Sequence, residues 1–278
     1  MTSFSSSISD IYDIKSLNNY DIQRANDNPP EASLASRGAY EYSNQVVNPF
    51  RFARSCWRVI QDLSRTEDFI ILQATFAQSR WLSWLAKWDQ VTQQLSSDVR
   101  IKHALETRPR LGWIDLTRLA ELPPGSLGKT LAEHMTQKEL NPNIVAPLPA
   151  VDAASFVMAH FVETHDIWHV VTGYGSDKLG EISLFAFYAA QFQTAPHIIL
   201  GLGVMLLNTI FFQPSNFRQR LDAFQLGWRT GMSANSLFGY DWAQQWSRPL
   251  PEIRKNLCLP EHPTVVGEGI QTAARATL

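Results

Sequence analysis

A pair of histidines and two carboxylates carry the most specific chemical pattern in this sequence. The residues are His165, Asp166, His169 and Glu181, with eleven residues between His169 and Glu181. On an α-helix the two histidines lie about 40° apart around the axis, so both imidazoles leave one face and can reach a single ion. Asp166 lies about 60° from His169 on the other side of that face, within side-chain reach.

Two consecutive helices must position these residues. The turn at 172–176 is predicted to end the first helix, and a second helix is predicted to begin near Gly180. Glu181 then approaches the histidines from the second helix. Two imidazoles and two carboxylates suit Zn²⁺, Co²⁺, Mn²⁺ or Fe²⁺ and leave a coordination position for water or substrate. We therefore expect one divalent metal ion, whose identity the ligand types leave open.

The histidine pair also has interpretations that involve no metal. Histidines four residues apart arise by chance, and a helical histidine often does no more than satisfy a buried group. The alternative is therefore an α-helical protein in which these side chains merely pack. A zinc protease is disfavoured, because HExxH places a glutamate, with its longer side chain, where this sequence has Asp166.

Composition narrows the class of protein. The 278 residues allow one large domain or two small ones, and 45% hydrophobic residues supply a sizeable core. A formal net charge of −2 provides no basic footprint, so we expect no nucleic-acid partner. Two distant cysteines favour a reducing compartment. No secretory signal or mitochondrial presequence is visible, so a bacterial cytoplasmic protein is the expectation.

Helical periodicity dominates the chain and predicts an all-α fold. We expect a single multi-helix bundle domain over residues 49–260, preceded by a disordered leader (1–48) and followed by a loose C-terminal tail (261–278). Pro49 should begin the first ordered helix, and Asp152 should cap the helix that carries the histidines. Other predicted helices cover residues 66–76, 80–95, 114–122, 129–140 and 214–230.

Residues 182–217 contain no aspartate, glutamate, lysine or arginine. Within this window 198–212 is nearly all apolar and 182–190 is largely so. A transmembrane hairpin is one alternative, but the apolar runs fall short of about 20 residues and no basic cluster flanks them. We expect two buried central helices, one of which lines a lipid cavity. The helix that follows should carry on its apolar side Phe217, Leu221 and Phe224.

The order of these motifs resembles the coenzyme Q (ubiquinone) biosynthesis protein 4 family, whose HDxxH–x11–E pattern is matched by the four residues above. Other matching features are Arg108-Pro109, the Pro124–Gly128 turn with serine for threonine, Gly180 before Glu181, Gln191 with Pro196, and the segment 246–257. The chain departs from the family pattern just upstream of His165, where the basic residues usual in the family are missing. These departures leave room for a divergent substrate.

The resemblance implies an all-α, dimeric protein bound peripherally to a membrane, in a bacterium the inner face of the plasma membrane. It implies that His165, Asp166, His169 and Glu181 act through a bound metal, and that a polyprenyl aromatic lipid occupies an adjoining apolar groove. The lining residues of that groove are unknown. The implied activity is C1 decarboxylation and hydroxylation of a polyprenylated 4-hydroxybenzoate-type ring. The alternative is a non-catalytic lipid-binding scaffold that organises other quinone-biosynthesis enzymes.

Overall fold

The computed structural model describes residues 49–63, 68, 72, 88–143, 147–148, 150–193 and 195–261. Within these residues the chain forms α-helices joined by turns, with no named strand and one isolated bridge between Ser126 and Pro249. The helices are α1 (Pro49–Gln61), α2 (Trp88–Leu95), α3 (Val99–Thr107), α4 (Leu116–Ala120), α5 (Leu127–Gln137), α6 (Ala153–Thr172), α7 (Lys178–Gln191), α8 (Pro196–Phe212), α9 (Phe217–Ser233) and α10 (Leu250–Asn256).

The all-α prediction is confirmed for this part of the chain. Pro49 is the first residue of α1, as predicted for a helix N-terminus. The predicted leader (1–48), nearly all of the predicted tail (262–278) and most of the predicted helices over 66–76 and 80–95 lie outside the described residues. A short 3₁₀ turn, Pro214–Asn216, precedes α9, and a second one, Trp242–Gln244, follows it in the chain.

Helix α6, which carries both histidines, lies at the centre and packs against α2, α3, α5, α7 and α10. Its residues 156–161 and 167–172 are buried on all sides, as expected for a helix that is apolar all round. Asp152 caps its N-terminus as predicted. The Asp152 carboxylate accepts a hydrogen bond from the Ser155 backbone N–H, and the Ser155 hydroxyl accepts one from the Asp152 N–H.

Helices α7 and α9 pack closely because α9 presents small residues at four-residue intervals. These are Ala223, Gly227 and Gly231, all buried. A Cβ added at Gly227 would lie 1.9 Å from the Ser183 carbonyl oxygen, and one at Gly231 would lie 2.8 Å from that of Phe187. Glycine is therefore required where the two backbones approach. The contact covers α7, whose residues 182–190 are all buried as predicted.

The apolar side chains of α8 and α9 are less buried than the sequence predicts. Helix α8 exposes Ile199, Leu200, Leu206, Leu207, Ile210, Phe211 and Phe212. On α9 the predicted apolar side is also largely exposed, with Phe217 at 50% and Leu221 at 46%. The expectation that α8 is a buried central helix was wrong, because the small-residue face of α9 packs on α7, and no helix in the described part of the chain covers these side chains.

No single helix in the described part of the chain is long and apolar enough to cross a membrane. Helix α8 and the segment Pro214–Ser233 pass the length and composition criteria together, but the chain bends by 117° between them.

The Pro124–Gly128 turn joins the N-terminal end of α5 to the C-terminal segment. The Leu127 N–H donates to the Arg248 carbonyl at 2.9 Å, and the Leu250 N–H donates to the Gly125 carbonyl at 2.9 Å. Helix α5 begins at Leu127, two residues before its predicted start, because Ser126 provides the N-cap. The Pro124–Gly128 turn and the segment 246–257, two of the features that resemble the family, are therefore in contact in the fold.

Candidate metal centre

Three of the four predicted ligands converge at the C-terminal end of α6. The Nε2 atoms of His165 and His169 lie 3.2 Å apart. Glu181 places one carboxylate oxygen 3.2 Å from His169 Nε2 and the other 3.8 Å from His165 Nε2. Around a tetrahedral Zn²⁺ with normal bond lengths, neighbouring ligand atoms lie about 3.3 Å apart. The three side chains therefore fit a single divalent ion.

Asp166 does not join this cluster of ligand atoms. Its side chain is half-buried on α6, and its charge acts on the surroundings of the site. Burial, followed by the negative charges of Glu181 and Asp166, raises the pKa of the Tyr188 hydroxyl well above its ordinary value. In this geometry the candidate ligands are two imidazole nitrogens and one carboxylate, with Asp166 as a nearby negative charge.

The turn between α6 and α7 brings Glu181 to the histidines. Gly173 ends α6 with a left-handed backbone (φ 78°), and its N–H donates to the His169 carbonyl at 2.8 Å. A Cβ at Gly180 would lie 1.7 Å from the Gly175 carbonyl oxygen, so the turn packs directly on the first turn of α7. The predicted end of the first helix agrees with the structure, whereas α7 begins at Lys178, two residues before the predicted position.

Each histidine has a further partner on the ring nitrogen that faces away from the cluster. The Nδ1 of His169 lies 3.1 Å from the backbone carbonyl oxygen of Tyr174. The Nδ1 of His165 lies 3.2 Å from the hydroxyl oxygen of Tyr188. Contacts of this kind orient imidazoles in metal sites, and here they leave both Nε2 atoms directed toward each other and toward Glu181. The sequence pattern indicates neither tyrosine as a partner, although Tyr188 follows Glu181 by seven residues on one face of α7.

Arg254 of α10 holds the C-terminal end of the histidine helix. The side chain is 1% exposed, and its guanidinium donates to the carbonyls of Val171 at 2.9 Å and Val170 at 3.1 Å. These carbonyls lie beyond the last helical hydrogen bonds, so the arginine satisfies acceptors that would otherwise be buried without a partner. Burial lowers the pKa of Arg254 to about 10, which still leaves a positive charge at the negative end of the α6 dipole.

The side chain of His169 is buried, whereas those of His165 and Glu181 are partly exposed to solvent. The side chain of His169 is 2% exposed, compared with 27% for His165 and 31% for Glu181. Burial lowers the pKa of His165, but hydrogen bonding to Glu181 and its negative charge outweigh burial and raise that pKa overall. Burial raises the pKa of Glu181, but the two histidines lower it well below its ordinary range. The carboxylate is therefore ionised at neutral pH, as a metal ligand must be.

Several known proteins are similar in sequence to this chain. A protein from Danio rerio described as a mitochondrial ubiquinone biosynthesis protein COQ4 homolog is 28% identical over 169 residues, which cover 60% of this chain and 61% of that protein. The Caenorhabditis elegans ubiquinone biosynthesis protein coq-4 is 27% identical over 177 residues, covering 61% and 74%. The chain thus spans less than two thirds of the Danio rerio relative.

A solved structure shows the same fold. It is the crystal structure of a protein from Nostoc punctiforme PCC 73102 that is provisionally described as a ubiquinone biosynthesis protein. The TM-score is 0.63 at 24% sequence identity, and the match covers 76% of this chain and 98% of the other.

The fold and the site define an all-α protein with a cluster of two histidines and a glutamate between consecutive helices. The family model described as coenzyme Q (ubiquinone) biosynthesis protein Coq4 matches residues 75–263. The chain therefore belongs to the Coq4 family of ubiquinone biosynthesis proteins.

Proposed function

We propose that this protein acts in the biosynthesis of ubiquinone or a related prenylquinone as a metal-dependent enzyme. The reaction replaces the C1 carboxylate of a polyprenylated 4-hydroxybenzoate-type ring with a hydroxyl group. The carboxylate leaves as carbon dioxide and one atom of dioxygen becomes the hydroxyl oxygen. An external two-electron reductant and protons convert the other oxygen atom to water. Family membership supports the pathway, and the ligand cluster supports the chemistry.

The observation that carries the catalytic part is a set of three converging ligands that is open on one side. Structural zinc sites are closed by four protein ligands, whereas catalytic sites use three and keep a position for water or substrate. Here His165 and Glu181 are each more than a quarter exposed, while His169 is buried. An incoming carboxylate or ring oxygen would therefore approach from the side of His165 and Glu181.

Each residue has a defined role in this proposal. His165, His169 and Glu181 would hold the ion, and Asp166 would add negative charge beside His165. When bound, the metal would stabilise negative charge on the ring as carbon dioxide leaves. The apolar helices would hold the isoprenoid tail and orient the ring toward the open side of the cluster.

The proposal includes the surroundings in which a polyprenyl substrate is found. We place the protein at the inner face of a bacterial plasma membrane, as a homodimer that meets other quinone-biosynthesis enzymes. What supports a lipid or membrane contact is the row of exposed apolar side chains on α8, which includes Ile210 at 59% and Phe211 at 66% exposure.

A second candidate function is a non-catalytic organiser that binds isoprenoid lipid and presents it to partner enzymes. The exposed apolar surface of α8 favours this function equally, because lipid binding needs no chemistry. In this case the metal would be a structural link between α6 and α7. The organiser would bind lipid but convert no substrate, with or without partner enzymes.

Native mass spectrometry with elemental analysis tests the metal site. We expect stoichiometric metal in the wild type, none in the variant H165A/H169A, and wild-type metal content in the control His103→Ala, since His103 is exposed and far along the chain from the cluster. Turnover of a prenylated 4-hydroxybenzoate by the metal-loaded wild type would establish the enzyme and exclude the organiser. Bound lipid with stoichiometric metal but no turnover would favour the organiser. Wild type without metal would contradict the proposed site.

A further inference from the structure

The last turn of α6, which carries His169, ends in carbonyl groups for which the helix itself provides no donors. The Gly173 N–H donates to the His169 carbonyl at 2.8 Å. The next two carbonyls, those of Val170 and Val171, accept hydrogen bonds from the buried guanidinium of Arg254 at 3.1 and 2.9 Å. The backbone immediately after His169 is therefore held by a side chain from a distant part of the chain.

The position of this backbone determines how the His169 ring is held. Gly173 reverses the chain with a left-handed backbone (φ 78°), and the carbonyl oxygen of Tyr174 then lies 3.1 Å from His169 Nδ1. Both sides of this contact depend on the same backbone, because the ring belongs to the last turn of α6 and the carbonyl lies in the segment that leaves it. A shift of the carbonyls at 170–171 would therefore change the angle at which His169 Nε2 faces Glu181, whose carboxylate lies 3.2 Å away.

Segment 250–261, which contains α10, presents Arg254 from a fixed position. Helix α10 packs on α6, and the Leu259 N–H donates to the Arg254 carbonyl at 2.9 Å. The Arg254 side chain is 1% exposed, and its guanidinium also donates to the Glu261 carbonyl at 3.3 Å. A planar guanidinium, whose donors have a fixed arrangement, loses little freedom when it binds several acceptors. The segment is thus a rigid support for the last turn of α6.

A second buried arginine, Arg220 of α9, differs from Arg254 in what it holds. Its side chain donates to the side chains of Asn208 and Thr209 on α8 at 2.6 and 2.8 Å. These partners belong neither to α6 nor to the turn that follows it. The two arginines therefore separate the general contribution of a buried guanidinium to stability from an effect on the turn beside His169.

We propose that Arg254 is a positioning residue of the candidate metal centre, because it fixes the turn after α6 and so keeps His169 oriented as a ligand. The inference rests on the proposed metal site and adds to it segment 250–261, which contributes no ligand. The affinity for the ion depends on how this segment is docked. Since coupling between two sites is reciprocal, a bound ion in turn holds the segment more firmly in place.

Substitution of the arginine by methionine tests the effect on affinity. Arg254→Met keeps an unbranched apolar side chain but removes every donor to the two valine carbonyls. Mutation of residues that orient metal ligands typically lowers metal affinity by about 10- to 100-fold, and we expect a loss in this range. Arg254→Lys, which retains one charged donor, should recover part of the affinity. Zn²⁺ affinity is measured by competition titration of the folded variants.

The matched control is Arg220→Met, which removes a buried guanidinium from the contact of α8 and α9. It should lower the free energy of unfolding, measured with urea, without changing the Zn²⁺ affinity of the folded protein. A role of Arg254 in stability alone would give the same result for Arg254→Met. The comparison of the two methionine variants therefore distinguishes positioning from stabilisation.

Hydrogen exchange of the wild type, followed by mass spectrometry, tests the reciprocal effect and does not depend on the folding of any variant. On addition of Zn²⁺ we expect amide exchange to slow in the turn 172–176 and also in segment 250–261. The first turn of α9, which carries Arg220, serves as the reference and should change less.

Equal Zn²⁺ affinities of the folded Arg254→Met and Arg220→Met variants would overturn the role of Arg254 and leave the metal site standing. The same conclusion would follow if exchange in segment 250–261 were equal with and without Zn²⁺, whether or not Arg254→Met folds. A wild type that binds no Zn²⁺ would overturn the metal site and this inference together.

Discussion

Helices α7 and α8 are consecutive and α8 is the more apolar of the two, yet α7 is the one that the fold buries. Every residue of α7 from Ile182 to Ala190 is buried, whereas α8 leaves seven large apolar side chains exposed. The difference lies in the helix that packs on them. Helix α9 brings its glycines against α7, and its Arg220 donates hydrogen bonds to Asn208 and Thr209 of α8. Burial of an apolar helix thus depends on a partner with a matching surface.

The largest expected effect comes from breaking the close contact of α7 and α9. Gly227→Ala would place a methyl group 1.9 Å from the Ser183 carbonyl oxygen and force the two helices apart. We expect a loss of about 3 kcal/mol or more in the free energy of unfolding. The matched control is Gly203→Ala on α8, where an added Cβ meets nothing within 4 Å. It should be neutral or stabilise by up to about 1 kcal/mol. Urea unfolding measures both, and equal effects would contradict the comparison.

The next largest loss of stability is expected from breaking the polar contacts that hold α8. Asn208 donates to the Ile60 carbonyl of α1 at 2.7 Å and accepts from the buried Arg220 at 2.6 Å. Asn208→Leu leaves part of that guanidinium and the α1 carbonyl unsatisfied, so we expect a loss of about 2–3 kcal/mol. Asn235→Leu, at an exposed site with one hydrogen bond, should cost less than about 1 kcal/mol. Similar losses in the two variants would show that α8 is held by its apolar contacts.

The buried side chain of His160 on α6 should make the free energy of unfolding depend on pH. His160 accepts from the Gly239 N–H, and burial together with the positive charge of Arg110 lowers its pKa to about 3. The unfolded chain binds a proton below pH 6.5 and the folded chain does not, so stability falls as pH drops from 6.5 toward 3. The loss from this residue should reach about 2 kcal/mol at pH 5. Unfolding of His160→Gln measured at pH 7 and pH 5 should show a smaller change than the wild type, and an identical change would contradict this assignment.

The smallest effect is expected on the outer surface of α8. Phe211 is 66% exposed, so Phe211→Ala should change the free energy of unfolding by no more than about 0.5 kcal/mol. The same substitution at Phe187 of α7, which is fully buried, should cost about 3–5 kcal/mol. Thermal unfolding of the two variants compares the helices directly. A large loss at Phe211 would mean that another surface covers α8 in solution.

Local sequence signals predicted much of the fold and most of the site. Asp152 as N-cap, the glycine turn after Thr172 and the return of Glu181 on the next helix all follow from short-range chemistry. Three of the four predicted ligands converge, because a four-residue histidine spacing and a tight turn leave few alternatives. Asp166 lies next to His165 on α6 but beside the cluster, because its short side chain does not reach the place where the other three ligand atoms meet.

The parts of the fold and of the site that the sequence did not predict depend on contacts between distant segments of the chain. An apolar stripe on α9 suggested a buried face, but the small residues of the same helix had a backbone partner to approach, and they determined its orientation. The sequence did not predict the partners of the outer ring nitrogens, because both partners lie outside α6, one in the turn that follows it and one on α7. Arg254 is separated from His169 in the chain by three α-helices, α7, α8 and α9, so no spacing rule connects them.

The arginine that closes the end of α6 has a consequence for how the protein is made. Both histidines and the glutamate leave the ribosome well before residues 250–261, which supply Arg254 and its helix. Until then the Val170 and Val171 carbonyls lack the guanidinium that fixes the last turn of α6. We therefore expect a nascent chain to possess all three candidate ligands without holding them in register. For the proposed metal site, we expect capture of the ion to be a late event of synthesis and an incomplete polypeptide to release it.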